Sequence, residues 1–155
     1  MSRERQDLLS RSALGVFRLN GQFLGVAEEL ARPSGLTAAW WQVLGAVLGE
    51  PLTVAGIARA MGITRQSVQR IADLLVERGL AEYRPNPAHR RAKLLAPTEE
   101  GRAAIHRINP GHAAFADRLA EAFGEAELAE AVQALERLSK VLDELGPPVT
   151  DVTEP

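Results

Sequence analysis

The 155-residue chain contains no cysteine, which excludes disulfides, thiolate-bound zinc or iron–sulfur clusters, cysteine nucleophiles and thiol-based redox sensing. It also lacks a long apolar run, because no window approaches the ~18 consecutive apolar residues that a membrane span requires. The polar first five residues do not have the pattern of a signal peptide. We therefore expect a soluble, cytoplasmic protein that has no membrane partner.

The residue groups that catalysis and cofactor binding require are missing as well. The sequence contains neither a glycine-rich phosphate-binding motif nor a nucleophile elbow. His106 and His112 are six residues apart, which is not the spacing of two ligands on one helix face, and no acidic or cysteine partner completes a set. We expect no metal and no cofactor. We also expect no enzymatic activity, because an enzyme would need a cluster of titratable groups that this sequence does not show.

The length and composition that remain are those of an ordinary globular protein, with 46% hydrophobic and 25% charged residues. A chain of this length buries roughly two thirds of the surface that it exposes when unfolded. One compact unit, or a small domain with helical appendages, is expected.

The charge is distributed unevenly along the chain. The formal net charge is only −2, but residues 53–96 carry eight lysines and arginines against three acidic residues, and the rest of the chain has a net charge of −7. A basic centre between acidic ends is typical of a module that faces nucleic acid. A solvated charged face would give the same count, and charge alone does not decide between the two.

Hydrophobic spacing and capping residues predict four helices in the first half of the chain. Residues 6–31 carry apolar side chains three or four positions apart, and Pro33 ends this helix. Three threonines are each preceded by an apolar residue and followed by a short amphipathic segment, which is the pattern of an N-cap with a hydrophobic staple. They are Thr37, Thr53 and Thr64, before helices predicted at 38–48, 54–60 and 65–78.

Glycines mark the ends of the last two of these helices. Gly62 is placed to adopt the left-handed conformation between them, and two short helices joined by such a turn form a helix-turn-helix. Gly79 occupies the position after the second helix, where Leu80 can contact Leu75 as in a Schellman motif.

Beyond Gly79 the sequence predicts a two-stranded hairpin. Residues 81–84 and 92–96 have strand character. The connection between them consists of the proline-containing stretch 85–88 and a basic tip, His89-Arg90-Arg91. A hairpin packed on a helix-turn-helix is a winged helix.

Helical periodicity returns after the hairpin. A helix is predicted from Thr98 toward Phe123, with a kink or break near Asn109 because Pro110 follows. Beyond Gly124 a last helix repeats its apolar residues every seven positions, as a helix that packs against another helix does. Residues 147–155 are expected to form a flexible tail.

Several short motifs in residues 35–101 follow the pattern of a known family. They are Leu36-Thr37, Trp41-Gln42-Val43-Leu44, Thr53-Val54-Ala55-Gly56-Ile57-Ala58, Gly62-Ile63-Thr64-Arg65-Gln66-Ser67-Val68, Gly79-Leu80 and Asn86-Pro87-Ala88-His89-Arg90-Arg91-Ala92-Lys93-Leu94. Together they resemble the winged helix of MarR-type (multiple-antibiotic-resistance) transcriptional regulators. The family's commonest wing has an aspartate before its arginines, whereas this chain has His89.

The resemblance implies a mainly α fold with a small β-hairpin wing, in which N- and C-terminal helices hold a homodimer together. The corresponding regions are an N-terminal dimerisation helix at 1–34, a winged helix-turn-helix at 35–101 and C-terminal dimerisation helices at 102–146. The heptad pattern of the last helix independently requires a partner helix. The expected dimerisation residues are Leu9, Leu128, Leu135, Leu138, Leu142 and Leu145.

The polar side of the helix at 65–78 is the predicted DNA-reading surface, because the apolar stripe of this helix must face the core. Arginine can pair with guanine and glutamine with adenine in the major groove, while hydroxyls near a helix N-terminus suit phosphate. The wing tip can enter a minor groove or hold phosphates. The predicted contact residues are Thr64, Arg65, Gln66, Ser67, Gln69, Arg70, His89, Arg90 and Arg91. An ordinary solvated helix face and loop remain the alternative.

Two further expectations come from the resemblance. A wing arginine, Arg91, is expected to pair with Asp73 and fix the angle of the wing. Family members often bind small amphipathic or aromatic effectors between the dimerisation helices and the winged helix, and the candidates for such a pocket are Phe17, Phe23, Trp40 and Phe115. Aromatic residues at helical spacing are also common in a plain core, which Trp41 is expected to join.

The sequence therefore predicts a transcriptional repressor that binds a pseudo-palindromic site on double-stranded DNA as a homodimer and is released by a small effector. The alternative from another functional class is a winged helix used only for protein–protein contact, which would show no steep salt dependence with duplex DNA.

Overall fold

The structure, a computed structural model, describes residues 2–148, and within them the chain is mostly helical with one small antiparallel sheet. The helices are α1 (Ser2–Ala31), α2 (Ala38–Ala46), α3 (Val54–Met61), α4 (Arg65–Glu77), α5 (Glu99–Phe123) and α6 (Glu125–Leu145). The strands are β1 (Leu52–Thr53), β2 (Ala81–Arg84) and β3 (Leu94–Pro97). The predicted fold class, a winged helix-turn-helix with additional helices at both ends, is confirmed.

The chain divides into two compact units, residues 2–112 and 113–148 of the described part. The first unit contains α1 to α4, the sheet and the first half of α5. The second unit contains the rest of α5 and α6.

All three threonine caps form as predicted. The Oγ1 atoms of Thr37, Thr53 and Thr64 each accept a hydrogen bond from the backbone N–H three residues later, at 3.1, 3.0 and 3.1 Å. Each cap satisfies one of the N–H groups that have no partner inside the helix. These local bonds set where α2, α3 and α4 begin.

The two glycine turns also form. Gly62 and Gly79 have φ values of +67° and +72°, which disfavour any residue with a side chain. After α4 the Leu80 N–H donates to the Leu75 carbonyl at 2.9 Å, and the Gly79 N–H donates to the Val76 carbonyl at 3.0 Å. This pair of bonds is the predicted Schellman motif.

The sheet has three strands rather than the two predicted, in the order β1-β3-β2. Leu95 of β3 lies opposite Leu52 of β1 on one side and Tyr83 of β2 on the other. The extra strand is only two residues long and also serves as the entry to α3. The sequence of this segment indicates only an N-cap and its apolar neighbour, because pairing across about forty residues leaves no local signal.

The core lies within the winged helix and combines residues from α2, α3, α4, β3 and the first half of α5 with Ala31 at the end of α1 and Ala81 of β2. Its largest fully buried side chains are Leu44, Ile57, Leu75, Leu95, Ile108, Val43, Val47 and Val68. Trp41 packs partly buried against this core, and its ring meets that of His112 edge-on at 5.7 Å between centroids. The expected structural role of Trp41 is therefore confirmed.

Of the kink or break predicted near Asn109, the break is wrong, because α5 continues through Pro110. A proline removes only the hydrogen bond of its own nitrogen and strains the carbonyl four residues earlier. A helix of 25 residues keeps the bonds of the turns on both sides. The burial of Ile105 and Ile108 in the core also stabilises the turn before the proline.

The second unit contains the predicted last helix as α6, which Gly124 joins to α5 with a φ of +99°. Of the tail expected at 147–155, residues 149–155 lie outside the described residues.

Candidate nucleic-acid interface

Helix α4 has two faces of opposite character. Its apolar stripe, Val68, Ile71, Ala72 and Leu75, is buried in the core. The side chains of Arg65, Gln66, Gln69 and Arg70 are exposed on the other side, near the N-terminus of the helix. The sequence prediction placed these same side chains on the outer face, and their proposed contact with bases remains a prediction.

The two hydroxyls at the start of α4 contact each other. Thr64 Oγ1 accepts from the Ser67 backbone and donates to Ser67 Oγ at 2.9 Å. The Ser67 hydroxyl proton and the exposed N–H groups of the first turn remain available to an anion. Both residues are thus held in place by the cap before any ligand arrives.

The wing tip is exposed and basic. Its turn is fixed by Asn86, whose carbonyl accepts from the His89 N–H at 3.2 Å and whose side chain accepts from the Ala88 N–H at 3.0 Å. The side chains of His89, Arg90 and Arg91 are all exposed. The turn therefore places the three predicted wing residues at the end of the hairpin.

The cations of α4 and of the wing tip are not part of an ion pair within residues 2–148. The three ion pairs in this part of the chain are Arg11–Asp7, Arg32–Glu29 and Arg84–Glu82. The positive charges of Arg65, Arg70, Arg90, Arg91 and Lys93 are therefore neutralised by no partner among the described residues.

Two open grooves run along this basic surface. The first, which we call the helix–wing groove, has a volume of about 580 Å³, and its polar lining includes Arg65, Gln66, Gln69, Tyr83, Arg91 and Lys93. The second, the wing groove, has a volume of about 530 Å³ and is lined by Tyr83, Arg84, Pro85, Asn86, Arg90 and Lys93. None of the described residues that line either groove is acidic, so both favour a polyanion.

A cluster that the sequence did not reveal joins α4 to β2. The Tyr83 hydroxyl donates to Asp73 Oδ1 at 2.5 Å, and Gln69 Nε2 donates to the same Asp73 oxygen at 3.0 Å and to the Tyr83 oxygen at 2.9 Å. The pKa of Tyr83 is raised to about 12. The largest cause is burial of the phenol, and the hydrogen bond to Asp73 and the negative charge of Asp73 raise it further. Tyr83 therefore remains a neutral donor at physiological pH.

This cluster makes the expected Arg91–Asp73 pair wrong. Asp73 accepts from Tyr83 and Gln69, and no ion pair joins it to Arg91 within residues 2–148. Arg91 lines the helix–wing groove instead. Tyr83 was overlooked because it lies on a different element from Asp73, ten residues away, and a tyrosine in a strand indicates nothing but strand propensity.

The sequence that forms this basic surface is similar to that of known proteins. Residues 34–92 match the model of the MarR family. An uncharacterised protein of Mycobacterium tuberculosis is 41% identical over 132 residues, which cover 85% of this chain and 92% of the relative. The chain belongs to the MarR family of transcriptional regulators.

Solved structures of other family members superimpose on most of the chain. CouR from Rhodococcus jostii RHA1 bound to p-coumaroyl-CoA is 28% identical, with a TM-score of 0.66 over 79% of this chain and 87% of CouR. The transcriptional repressor CouR bound to a 23-mer DNA duplex is 26% identical, with a TM-score of 0.74 over 86% of this chain and 95% of that one. Fold and family are those of a transcriptional regulator rather than of an enzyme.

The dimerisation residues suggested by the MarR resemblance are mostly exposed in the single chain. Leu9 on α1 is 67% exposed and Leu145 on α6 is 74% exposed. Leu135, Leu138 and Leu142 are also exposed, whereas Leu128 is half-buried. Apolar side chains of this size favour a covering partner.

The four candidate pocket residues do not line either groove of the basic surface. In the first unit Phe17 and Phe23 are exposed on α1, and Trp40 lies partly buried beneath the guanidinium of Arg78, 5.7 Å from the ring centroid. In the second unit Phe115 lies 5.6 Å from the guanidinium of Arg118. Their grouping into one pocket remains a prediction.

No group of three or more histidine, cysteine or acidic side chains in residues 2–148 is arranged to hold a metal ion. The Nδ1 atom of His106 lies 3.4 Å from Asn109 Nδ2, and the ring of His112 contacts that of Trp41. No helix in this part of the chain combines the length and apolarity that crossing a membrane requires.

Proposed function

We propose that this protein binds a pseudo-palindromic operator on double-stranded DNA as a homodimer, through α4 and the wing of each subunit. The observation that supports this most strongly is the exposed arginine and glutamine face of α4 beside the basic helix–wing groove. Arginine and glutamine have the donors and acceptors that read guanine and adenine edges in the major groove. The groove beside them supplies positive charge for the phosphates.

In this proposal residues 1–34 and 102–146 form the dimer, and residues 35–101 contact the DNA. The exposed leucines of α1 and α6 would be covered by a second copy of the chain. A twofold dimer presents its two α4 helices to half-sites about one helical turn, roughly 34–36 Å, apart. The operator should accordingly be an inverted repeat.

We further propose that the protein represses transcription and that a small amphipathic or aromatic effector releases it. The support is the family membership and the similarity to CouR, a transcriptional repressor that is bound to p-coumaroyl-CoA in one structure and to DNA in another. The aromatic candidates Phe17, Phe23, Trp40 and Phe115 are the residues of this chain that would contact such an effector. An effector releases DNA only if it binds more tightly to the dimer arrangement that does not fit the operator.

Selection of bound fragments from random duplex DNA tests the DNA-binding proposal. The wild-type protein should enrich an inverted repeat, and Arg65→Ala should lose that enrichment because one base-reading side chain is gone. Arg102→Ala is the matched control, since Arg102 is an exposed arginine on α5 that lies outside both grooves. Enrichment of no motif by the wild-type protein would instead favour a winged helix used for protein–protein contact.

A further inference from the structure

The cluster of Gln69, Asp73 and Tyr83 fixes the orientation of the Gln69 amide. A carboxylate can only accept hydrogen bonds at neutral pH, so the Gln69 atom 3.0 Å from Asp73 Oδ1 must be the nitrogen. Tyr83 donates its only proton to Asp73, so its oxygen is free to accept from the same nitrogen. The amide nitrogen therefore faces the α4–β2 junction, and the Gln69 carbonyl oxygen lies on the opposite side of the amide.

The cluster still leaves Gln69 the groups that base reading needs. The Asp73 and Tyr83 oxygens are 2.5 Å apart and lie 3.0 and 2.9 Å from the Gln69 nitrogen, close enough together for a single N–H to serve both. The second N–H and the carbonyl oxygen remain, one donor and one acceptor, which is the set that pairs with adenine. A glutamine held in this way loses less conformational freedom when it binds a base than a free glutamine does.

Tyr83 is the member of the cluster that connects the reading helix to the wing. Its backbone belongs to β2, where it pairs with Leu95 of β3, and its hydroxyl contacts two side chains of α4. A change in the position of β2 would therefore change the position of the Gln69 amide. With Asp73 engaged by Tyr83, Arg91 is left in the helix–wing groove.

We propose that Tyr83 is a positioning residue for sequence readout, whose hydroxyl holds the Gln69 amide on the face of α4 in the orientation that discriminates one base of the operator. The proposal rests on the DNA-binding function proposed above. Tyr83 then affects the sequence specificity of binding, and it does so through Gln69. It does not affect the number of phosphate contacts.

The test compares Tyr83→Phe, which removes only the hydroxyl, with Gln69→Ala and the double variant on a panel of operators with single base changes. Gln69→Ala should lower discrimination at one symmetric position about tenfold. Tyr83→Phe should lower it at the same position, and the double variant should lose no more than Gln69→Ala alone. The salt dependence of binding should be the same for Tyr83→Phe and for the wild-type protein, since no phosphate contact is removed.

Gln66 supplies the matched control, because it lies on the same exposed face but makes no hydrogen bond to the cluster. The losses from Tyr83→Phe and Gln66→Ala should be additive. Unchanged discrimination in Tyr83→Phe, or losses that add to those of Gln69→Ala, would overturn the proposal. A uniform loss of affinity for all operators would also overturn it, because that result describes a purely structural or phosphate-binding role.

A measurement without DNA separates the cluster from the function. Tyr83 is the only tyrosine of the chain, so its ionisation can be followed by ultraviolet absorbance while circular dichroism monitors folding. The folded protein should ionise well above pH 10, toward pH 12, and Asp73→Asn should ionise at lower pH. Ionisation of folded wild-type protein near pH 10 overturns the positioning proposal by itself. Ionisation toward pH 12 together with no enriched DNA motif overturns the proposed function instead.

Discussion

The winged helix and the terminal helices treat their apolar side chains in opposite ways. Helices α2, α3 and α4, strand β3 and the first half of α5 bury theirs in one shared core. By contrast, fourteen of the seventeen exposed large hydrophobic side chains within residues 2–148 lie on α1 or α6, and α6 has no buried residue. The winged helix is therefore complete within one chain, whereas the apolar residues of the terminal helices favour a second chain.

The largest effect is expected from a cavity in the complete region. Leu75→Ala should lower the free energy of unfolding by about 2–5 kcal/mol, because Leu75 is fully buried between α4 and its neighbours. Leu74→Ala on the same helix should lower it by less than about 1 kcal/mol, since Leu74 is 37% exposed. Urea unfolding measures both values. Equal losses would show that the winged helix is not packed around Leu75.

The next effect concerns the terminal helices, whose apolar side chains are exposed. Leu135→Asp combined with Leu142→Asp should raise the dissociation constant of the proposed dimer at least about 100-fold, because each substitution would bury a charge in its apolar interface. Gln133→Asp places a charge on the exposed part of α6 outside the predicted dimerisation residues and should change the dissociation constant little. Sedimentation at several protein concentrations measures the constant. A wild-type chain that sediments as a monomer at all of them would contradict the dimer.

A smaller effect is expected at the start of α4. Thr64→Ala should lower the free energy of unfolding by about 1 kcal/mol, because the Ser67 N–H loses its capping oxygen. Thr64→Ser keeps that oxygen and should retain most of the stability. If the serine variant lost as much as the alanine variant in urea unfolding, the cap would not be what stabilises this helix end.

The smallest effect depends on pH and comes from Tyr83. Its pKa is higher in the folded protein, about 12, than the ordinary value of 10.0, so the folded state holds the phenol proton more tightly. This contribution to stability is fully present below pH 10 and is lost as pH rises toward 12. Tyr83→Phe should remove this part of the pH dependence. Identical stability curves for both proteins between pH 9 and pH 12 would show that the bond to Asp73 contributes nothing.

The sequence predicted those features whose partners are close along the chain. The bonds of Thr37, Thr53 and Thr64 span three residues, and the Schellman bond from Leu80 to Leu75 spans five. Such contacts follow from local spacing and residue type. The placement of Arg65 and its neighbours on the exposed face of α4 follows equally from the position of the apolar stripe.

The features that the sequence did not predict are non-local or depend on packing. Strand β1 exists because Leu52 meets Leu95, and the Tyr83–Asp73 bond needs α4 and β2 to be side by side. The Arg91–Asp73 pair was transferred from the family pattern, but a closer tyrosine occupies the carboxylate. Continuity through Pro110 depends on the bonds and packing of the surrounding turns, which residue type alone does not indicate.

The salt dependence of binding to duplex DNA tests the central claim, that the basic surface of α4 and the wing faces DNA, most directly. The chain presents Arg65, Arg70, Arg90, Arg91 and Lys93 outside the ion pairs of residues 2–148. For a dimer, a plot of log affinity against log salt concentration should have a slope of about −4 or steeper, and Arg65→Ala with Arg91→Ala should make the slope shallower. A flat plot for the wild-type protein would contradict the account.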